Sequence, residues 1–139
     1  MIKWKIRVKA AEQREPLRAG VAYVAPEGLH LGVTGDGRIL LSETAPIGGF
    51  RPSATHLFDS VGQAYRQDAV GVILTGMGED GVEGLRSFRQ RGGHVIAQDE
   101  ESCVVFGMPG AAVRAGVVDL TLPLDQIGRA IGHLLEKAP

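Results

Sequence analysis

The sequence predicts an α/β fold: three layers around a mostly parallel, doubly wound sheet, with an antiparallel β-hairpin attached. Three observations carry this. From Ser53 onward, short apolar runs alternate with stretches whose apolar residues recur at helical spacing, the pattern of βαβ units with right-handed crossovers. Val70–Leu74 is an unbroken apolar run of the kind buried on both faces of a parallel sheet. Thr34-Gly35-Asp36-Gly37 separates two other apolar runs, and Asp-Gly in that position is a strong hairpin signal. At 139 residues the chain suits a single domain, 1–139, with a core of its own.

Each element follows in order. Lys5–Lys9 alternates with period two and reads as a half-buried strand, with Lys3, Lys5, Arg7 and Lys9 on its solvated side. Val21–Ala25 is a second strand, stopped by Pro26. Leu29–Val33 and Arg38–Ser42 are the hairpin arms, so the first third is expected to be antiparallel β structure. Ser53 can cap a helix that carries Leu57, Phe58, Val61 and Tyr65 on one face. After the Val70–Leu74 strand, Val82, Leu85 and Phe88 make a second helical stripe, ended by Gly92-Gly93. Arg86, Arg89 and Arg91 suit the negative end of that helix's dipole. Val95–Ala97, Cys103–Phe106 and Val117–Leu120 are strand-like, and Pro109 can open a short helix through Arg114. Leu124, Ile127, Ile131, Leu134 and Leu135 give an amphipathic final helix.

Charge and composition exclude several functions. Fifteen basic and 16 acidic side chains leave a net charge of −1, which gives no electrostatic footprint for nucleic acid. The amino terminus alternates charged and apolar residues, unlike a signal peptide, and no stretch approaches a transmembrane length. One cysteine, Cys103, excludes an internal disulfide and fits a cytoplasmic location. With no basic neighbour to lower its pKa, it reads as a small buried residue rather than a nucleophile.

The segment richest in chemistry is Ala69–Leu85, AVGVILTGMGEDGVEGL, where a buried strand feeds an acidic glycine turn that opens into a helix. Open α/β sheets place their sites at such strand ends. The residues allow three readings. Asp80 with Glu83 has the spacing of a capping box for the helix that follows. Gly76-Met77-Gly78-Glu79-Asp80-Gly81 also matches the dinucleotide fingerprint G-x-G-x-x-G, with Asp99 placed 18 residues past Gly81 for a ribose. Against that, Glu79 and Asp80 would repel a pyrophosphate, with no Lys or Arg in the loop to offset them. In the third reading, an aspartate at a strand end orients a catalytic histidine, and the turn's N–H groups stabilise an oxyanion.

GVILTGMGEDGVEGL, followed by AQDEESCVVFGMPGAA, resembles the catalytic domain of the chemotaxis protein-glutamate methylesterases. Ala22–His30 (AYVAPEGLH) and Arg51-Pro52-Ser53 with Leu57-Phe58 extend the resemblance upstream, and it continues through the last helix. The resemblance implies an esterase with a Ser-His-Asp triad that hydrolyses γ-glutamyl methyl esters on the cytoplasmic helices of methyl-accepting receptors. It also implies deamidation of particular glutamines. Asp80 matches the triad aspartate, and Met77 matches the loop methionine whose backbone N–H can serve the oxyanion. No metal or organic cofactor is implied. A receiver domain often precedes the esterase in this family.

The departures are specific. The family's G-x-S-x-G-G nucleophile turn and its Q-H-M-P-like histidine segment have no counterpart in the sequence. Thr55 stands where the family usually has Asp, and Gly110 where a basic residue commonly follows G-M-P. Ser42, Ser53, Ser60, Ser87 and Ser102 lie in helix starts, helices or loops rather than a nucleophile elbow. His56 and His133 fall on predicted helices, His94 in a turn, and His30 in the A-P-G-x-H-like segment, where it suits a loop hydrogen bond. The expectation is therefore the carboxyl-terminal part of a methylesterase domain, inactive alone, that supplies Asp80 and the oxyanion loop. The alternatives are a shortened, non-catalytic module that binds receptors or a signalling partner, and a dinucleotide-binding domain. A sheet lacking βαβ units should also expose an edge and apolar faces, so self-association or a covering partner is expected.

Overall fold

The computed structural model describes residues 5–136. Its strands are β1 (Arg7–Ala10), β2 (Val21–Val24), β3 (His30–Val33), β4 (Ile39–Ser42), β5 (Val70–Ile73), β6 (His94–Gln98) and β7 (Leu120–Leu122). Its α-helices are α1 (Ala54–Tyr65), α2 (Val82–Gln90), α3 (Gly107–Arg114) and α4 (Leu124–Glu136). Strands β5, β6 and β7 form a parallel sheet in that order, and β3 pairs antiparallel with β4 around the expected hairpin.

Three expectations are corrected. β1 and β2 pair in parallel, Arg7 opposite Val21 through Ala10 opposite Val24, so the first third is not wholly antiparallel. The long excursion Ala11–Gly20 returns the chain to the start of β1 instead of turning it back, and Arg7 N–H donates to Gly20 O at 2.9 Å. Cys103–Phe106 makes no strand, only a single parallel bridge from Phe106 to Gly76. The strand expected at Val117–Leu120 lies at Leu120–Leu122, because Asp119 spends its backbone N–H on Val95 O and its carboxylate on Val95 N–H.

The main core forms around Phe88, which is 1% exposed. Its ring packs edge-on against Phe58 at 6.0 Å, and burying such a ring is worth roughly 1.5–3 kcal/mol. Three glycines make the room: an added Cβ would meet Phe88 atoms at 3.1 Å from Gly62, 3.2 Å from Gly71 and 2.3 Å from Gly93. Ile73, Leu85, Val95, Ala97, Ala112 and Val117 complete this core, with Phe58, Val61 and Tyr65 of α1 against it. A smaller core joins Ala11, Leu31 and Ile39 under the hairpin, with Tyr23 and Leu57 beside it. Ser60 of α1 ties the two together, accepting from Val33 N–H at 2.8 Å and donating to Val33 O at 3.1 Å.

The basic residues at the amino terminus and on α2 have more structure than expected. Lys3 lies outside the described residues. Lys9 is partly covered on the solvated side: it bonds Glu12 and Glu15, each at 2.7 Å, and these bonds raise its pKa while the Lys9 bond lowers that of Glu15. Arg89 and Arg91 reach Asp119 and Asp59 at 2.8 Å, so they clamp α2 to the loop before β7 and to α1. Among the described residues no helix is long and apolar enough to cross a membrane.

Candidate functional site

The site grows from the crossing of two helix starts. Ser53 caps α1, its Oγ accepting from Thr55 N–H at 3.1 Å. Gly81 occupies the N-cap position of α2 with φ +100°, a conformation suited to glycine, and provides no side-chain cap. Asp80 is thereby freed from α2, and the capping-box reading is corrected. Its carboxylate crosses to α1 instead: Oδ1 accepts from Ser53 Oγ–H at 2.7 Å and Oδ2 from Ala54 N–H at 2.8 Å. Asp80 thus neutralises the positive end of a neighbouring helix. The exchange is reciprocal, since Gly81 N–H donates to Thr55 Oγ1 at 3.0 Å. The helices can approach this closely because residue 84 is glycine; a Cβ there would sit 2.5 Å from Thr55 O.

Two protein contacts leave acceptor capacity on the half-buried carboxylate, which has about four lone-pair sites. It can therefore take an imidazole N–H from outside this cluster. Beside it, the turn from Thr75 to Gly76 is pinned on three sides. Buried Gln98 accepts from Thr75 N–H at 2.9 Å, Gly76 N–H donates to Val105 O at 3.0 Å, and Met108 N–H donates to Gly76 O at 2.9 Å. Met77 then projects from a fixed base with its side chain in solvent, 76% exposed, and its backbone N–H has no acceptor among the described residues.

A serine, a histidine and an aspartate do meet here, but in an order that cannot form a nucleophilic relay. Ser53 Oγ–H points to Asp80, and His30 contacts the Ser53 backbone: its Nδ1 accepts from Ser53 N–H at 3.2 Å. Ser53 is also only 2% exposed. Ser60 is consumed by Val33 and Ser102 by Asp99, while Ser42 contacts Thr44. His30 is buried as the expected loop hydrogen-bonder, and His94 and His133 lie exposed on β6 and α4. Burial first, and the charges of Asp99 and Glu100, push the Cys103 thiol up, the wrong direction for a nucleophile. Asp99 accepts from Ser102 N–H and Oγ–H through Oδ1 within its own turn, and the dinucleotide reading stays opposed by the two loop carboxylates, Glu79 and Asp80.

Sequence reasoning missed Ser53, Thr55 and His30 as supports of Asp80, and Gln98 as the brace of the turn. The signal for the first two was the R-P-S-A-T helix start, read as a local cap and as part of the family resemblance. Gln98 carried none beyond its place at the end of a strand.

Comparison with known proteins identifies the family. The family profile described as CheB methylesterase matches residues 3–131. A protein-glutamate methylesterase/protein-glutamine glutaminase of Rhizobium meliloti is 50% identical over 126 residues, covering 91% of this chain and 36% of that protein. One from Anaeromyxobacter dehalogenans is 57% identical over 122 residues, 87% of this chain and 36% of its own length. The crystal structure of the Thermotoga maritima CheB methylesterase catalytic domain superposes with a TM-score of 0.85 at 37% identity, covering 94% of this chain and 69% of that one. The chain spans little more than a third of the curated relatives it matches. With the profile covering nearly its whole length, the chain belongs to the CheB methylesterase family.

Proposed function

We propose that this chain is the carboxyl-terminal part of a protein-glutamate methylesterase domain and supplies the acid and the oxyanion loop of its active site. The observation that carries the reading is the Asp80 carboxylate, fixed from behind by Ser53 Oγ–H and Ala54 N–H at a strand end and still able to accept. In the completed site an imidazole N–H donates to Asp80, which sets the tautomer and stabilises the imidazolium. A serine hydroxyl gives its proton to the other ring nitrogen and attacks the ester carbonyl. The tetrahedral oxyanion is held by N–H groups that include that of Met77. Collapse breaks the C–O bond as the imidazolium gives its proton to the departing methoxide oxygen, releasing methanol, and water hydrolyses the acyl-serine by the same route. The second activity in the relatives' names, on protein glutamine, follows the same steps with ammonia leaving.

The serine and histidine come from a further segment. Supporting this, the Thermotoga maritima domain extends beyond the matched region, and one face of the β1–β2 sheet here is apolar and open: Val8 is 67% exposed, beside Ile6 and Val24. The substrates are the methylated cytoplasmic helices of chemotaxis receptors, met in the cytoplasm. A receiver domain is a further partner on the same family reading. The test is methanol release from methylated receptor by this chain alone, and by this chain joined to the part of the Thermotoga maritima domain that it does not match. Turnover only in the joined protein is expected. Efficient turnover by the chain alone would overturn the reading.

A second reading has one observation in its favour: Ser53 and His30, the serine and histidine joined to the Asp80 cluster, are already committed to structure. The chain would then bind receptor helices without hydrolysing them. Failure of the joined protein to release methanol, with receptor binding retained by the chain, would select it.

A further inference from the structure

We infer that His30 is a positioning residue for Asp80, acting through the backbone of Ser53. The inference rests on the reading of Asp80 as the catalytic acid. His30 opens β3 and is fully buried, 0% exposed. Both ring nitrogens are used: Nδ1 accepts from Ser53 N–H at 3.2 Å and Nε2 contacts Ala45 O at 3.0 Å. An amide N–H can only donate and a carbonyl can only accept, so these partners admit one form, the neutral ring with its proton on Nε2.

The ring therefore closes the loop Ala45–Ser53 onto the hairpin at both ends. Its face stacks on His56, in the first turn of α1, with centroids 4.5 Å apart and planes 7° from parallel. Ser53, held by this ring, is the residue whose Oγ–H meets Asp80 Oδ1, and the next amide, Ala54 N–H, meets Oδ2. Moving Ser53 moves both anchors of the carboxylate together. A core-filling apolar residue at position 30 would leave the Ser53 amide, in a side chain environment 2% exposed, without an acceptor. The demand is for an acceptor at the δ position, which is more specific than volume.

Two substitutions separate these roles. His30→Asn keeps an oxygen acceptor at the δ position and loses reach toward Ala45; His30→Gln keeps a donor near the ε position and loses the acceptor. In the joined protein, H30Q is expected to lower kcat about tenfold or more with KM within about twofold, because a misplaced group costs rate before binding. H30N is expected to hold kcat within about threefold on the same basis. Equal losses in the two variants, or none in either while Asp80→Asn abolishes turnover, would overturn the inference and leave Asp80 standing. Full turnover in D80N would instead remove the reading beneath it, and the inference with it.

If neither His30 variant folds, the wild-type chain decides by nitrogen NMR of the ring. An Nε2–H tautomer with a slowly exchanging Ala54 amide is expected; an Nδ1–H tautomer would contradict the assignment.

Discussion

The crossing of α1 and α2 and the β1–β2 sheet are finished in opposite ways. At the crossing, the polar groups of both helix starts find partners across the gap: Ser53 and Ala54 on Asp80, Gly81 on Thr55. On β1–β2, the pairing of Val8 with Ala22 and of Ala10 with Val24 places apolar side chains together on a face that the described residues leave largely exposed. The first region is internally closed around a carboxylate. The second pairs two strands and leaves an apolar face open among the described residues. The lesson is that the proposed catalytic acid is supported by elements near it in space while one face of a neighbouring sheet stays open.

The contrast predicts unequal responses to substitution. The largest is at the crossing. Gly84→Val would drive a side chain into Thr55 O and Cα, 2.5 and 2.7 Å from the first carbon, where only backbone could move. A loss of about 3 kcal/mol or more in denaturant unfolding is expected, the upper end of overpacking effects. Asp80→Ala comes next. It strips the amino end of α1 of its carboxylate and leaves Ser53 Oγ–H and Ala54 N–H to water, for about 1–2 kcal/mol in the same measurement.

On the open face the expectation reverses. Val8→Thr with Val24→Thr should change stability by no more than about 0.5 kcal/mol, since the residues are largely exposed already. The pair should lower self-association in sedimentation, which a covered face would not do. If these valines unfold the chain when replaced, the face is buried and the contrast fails.

The smallest effect concerns pH. Burial holds the His56 imidazole below its ordinary value, with Asp59 pulling the other way. The unfolded chain therefore takes up a proton at higher pH than the folded one. This contribution is present in full above the ordinary histidine value of about 6.5 and is lost as pH falls through the lower folded value. His56→Gln should flatten unfolding free energy against pH in that window; an unchanged slope would remove His56 as its source.

Much of this fold is legible in the sequence because its signals are local. Ser53 caps the helix it was read to cap, Asp36-Gly37 turns the hairpin, and Val70–Leu74 predicts β5 to within a residue. What escaped is set by residues far apart in the chain. β1 and β2 read correctly as strands, but their parallel pairing depends on where Ala11–Gly20 travels, which periodicity does not encode. Asp80 was legible as a candidate acid, through its strand end and its motif. Its anchors were not, because Ser53 and Asp80 lie 27 positions apart. A local capping rule assigned the carboxylate to the nearer helix. The Thr55 departure from the family pattern gained its meaning only in space, as the acceptor for Gly81 N–H.

The most direct test of the central claim is kcat for Asp80→Asn in the joined protein, beside its thermal unfolding. Asparagine keeps the shape at the crossing but loses the charge that holds an imidazolium. A fall of roughly four orders of magnitude with folding preserved is expected, the scale reached when a triad aspartate loses its charge. A folded D80N protein that turns over within about tenfold of the parent would contradict it.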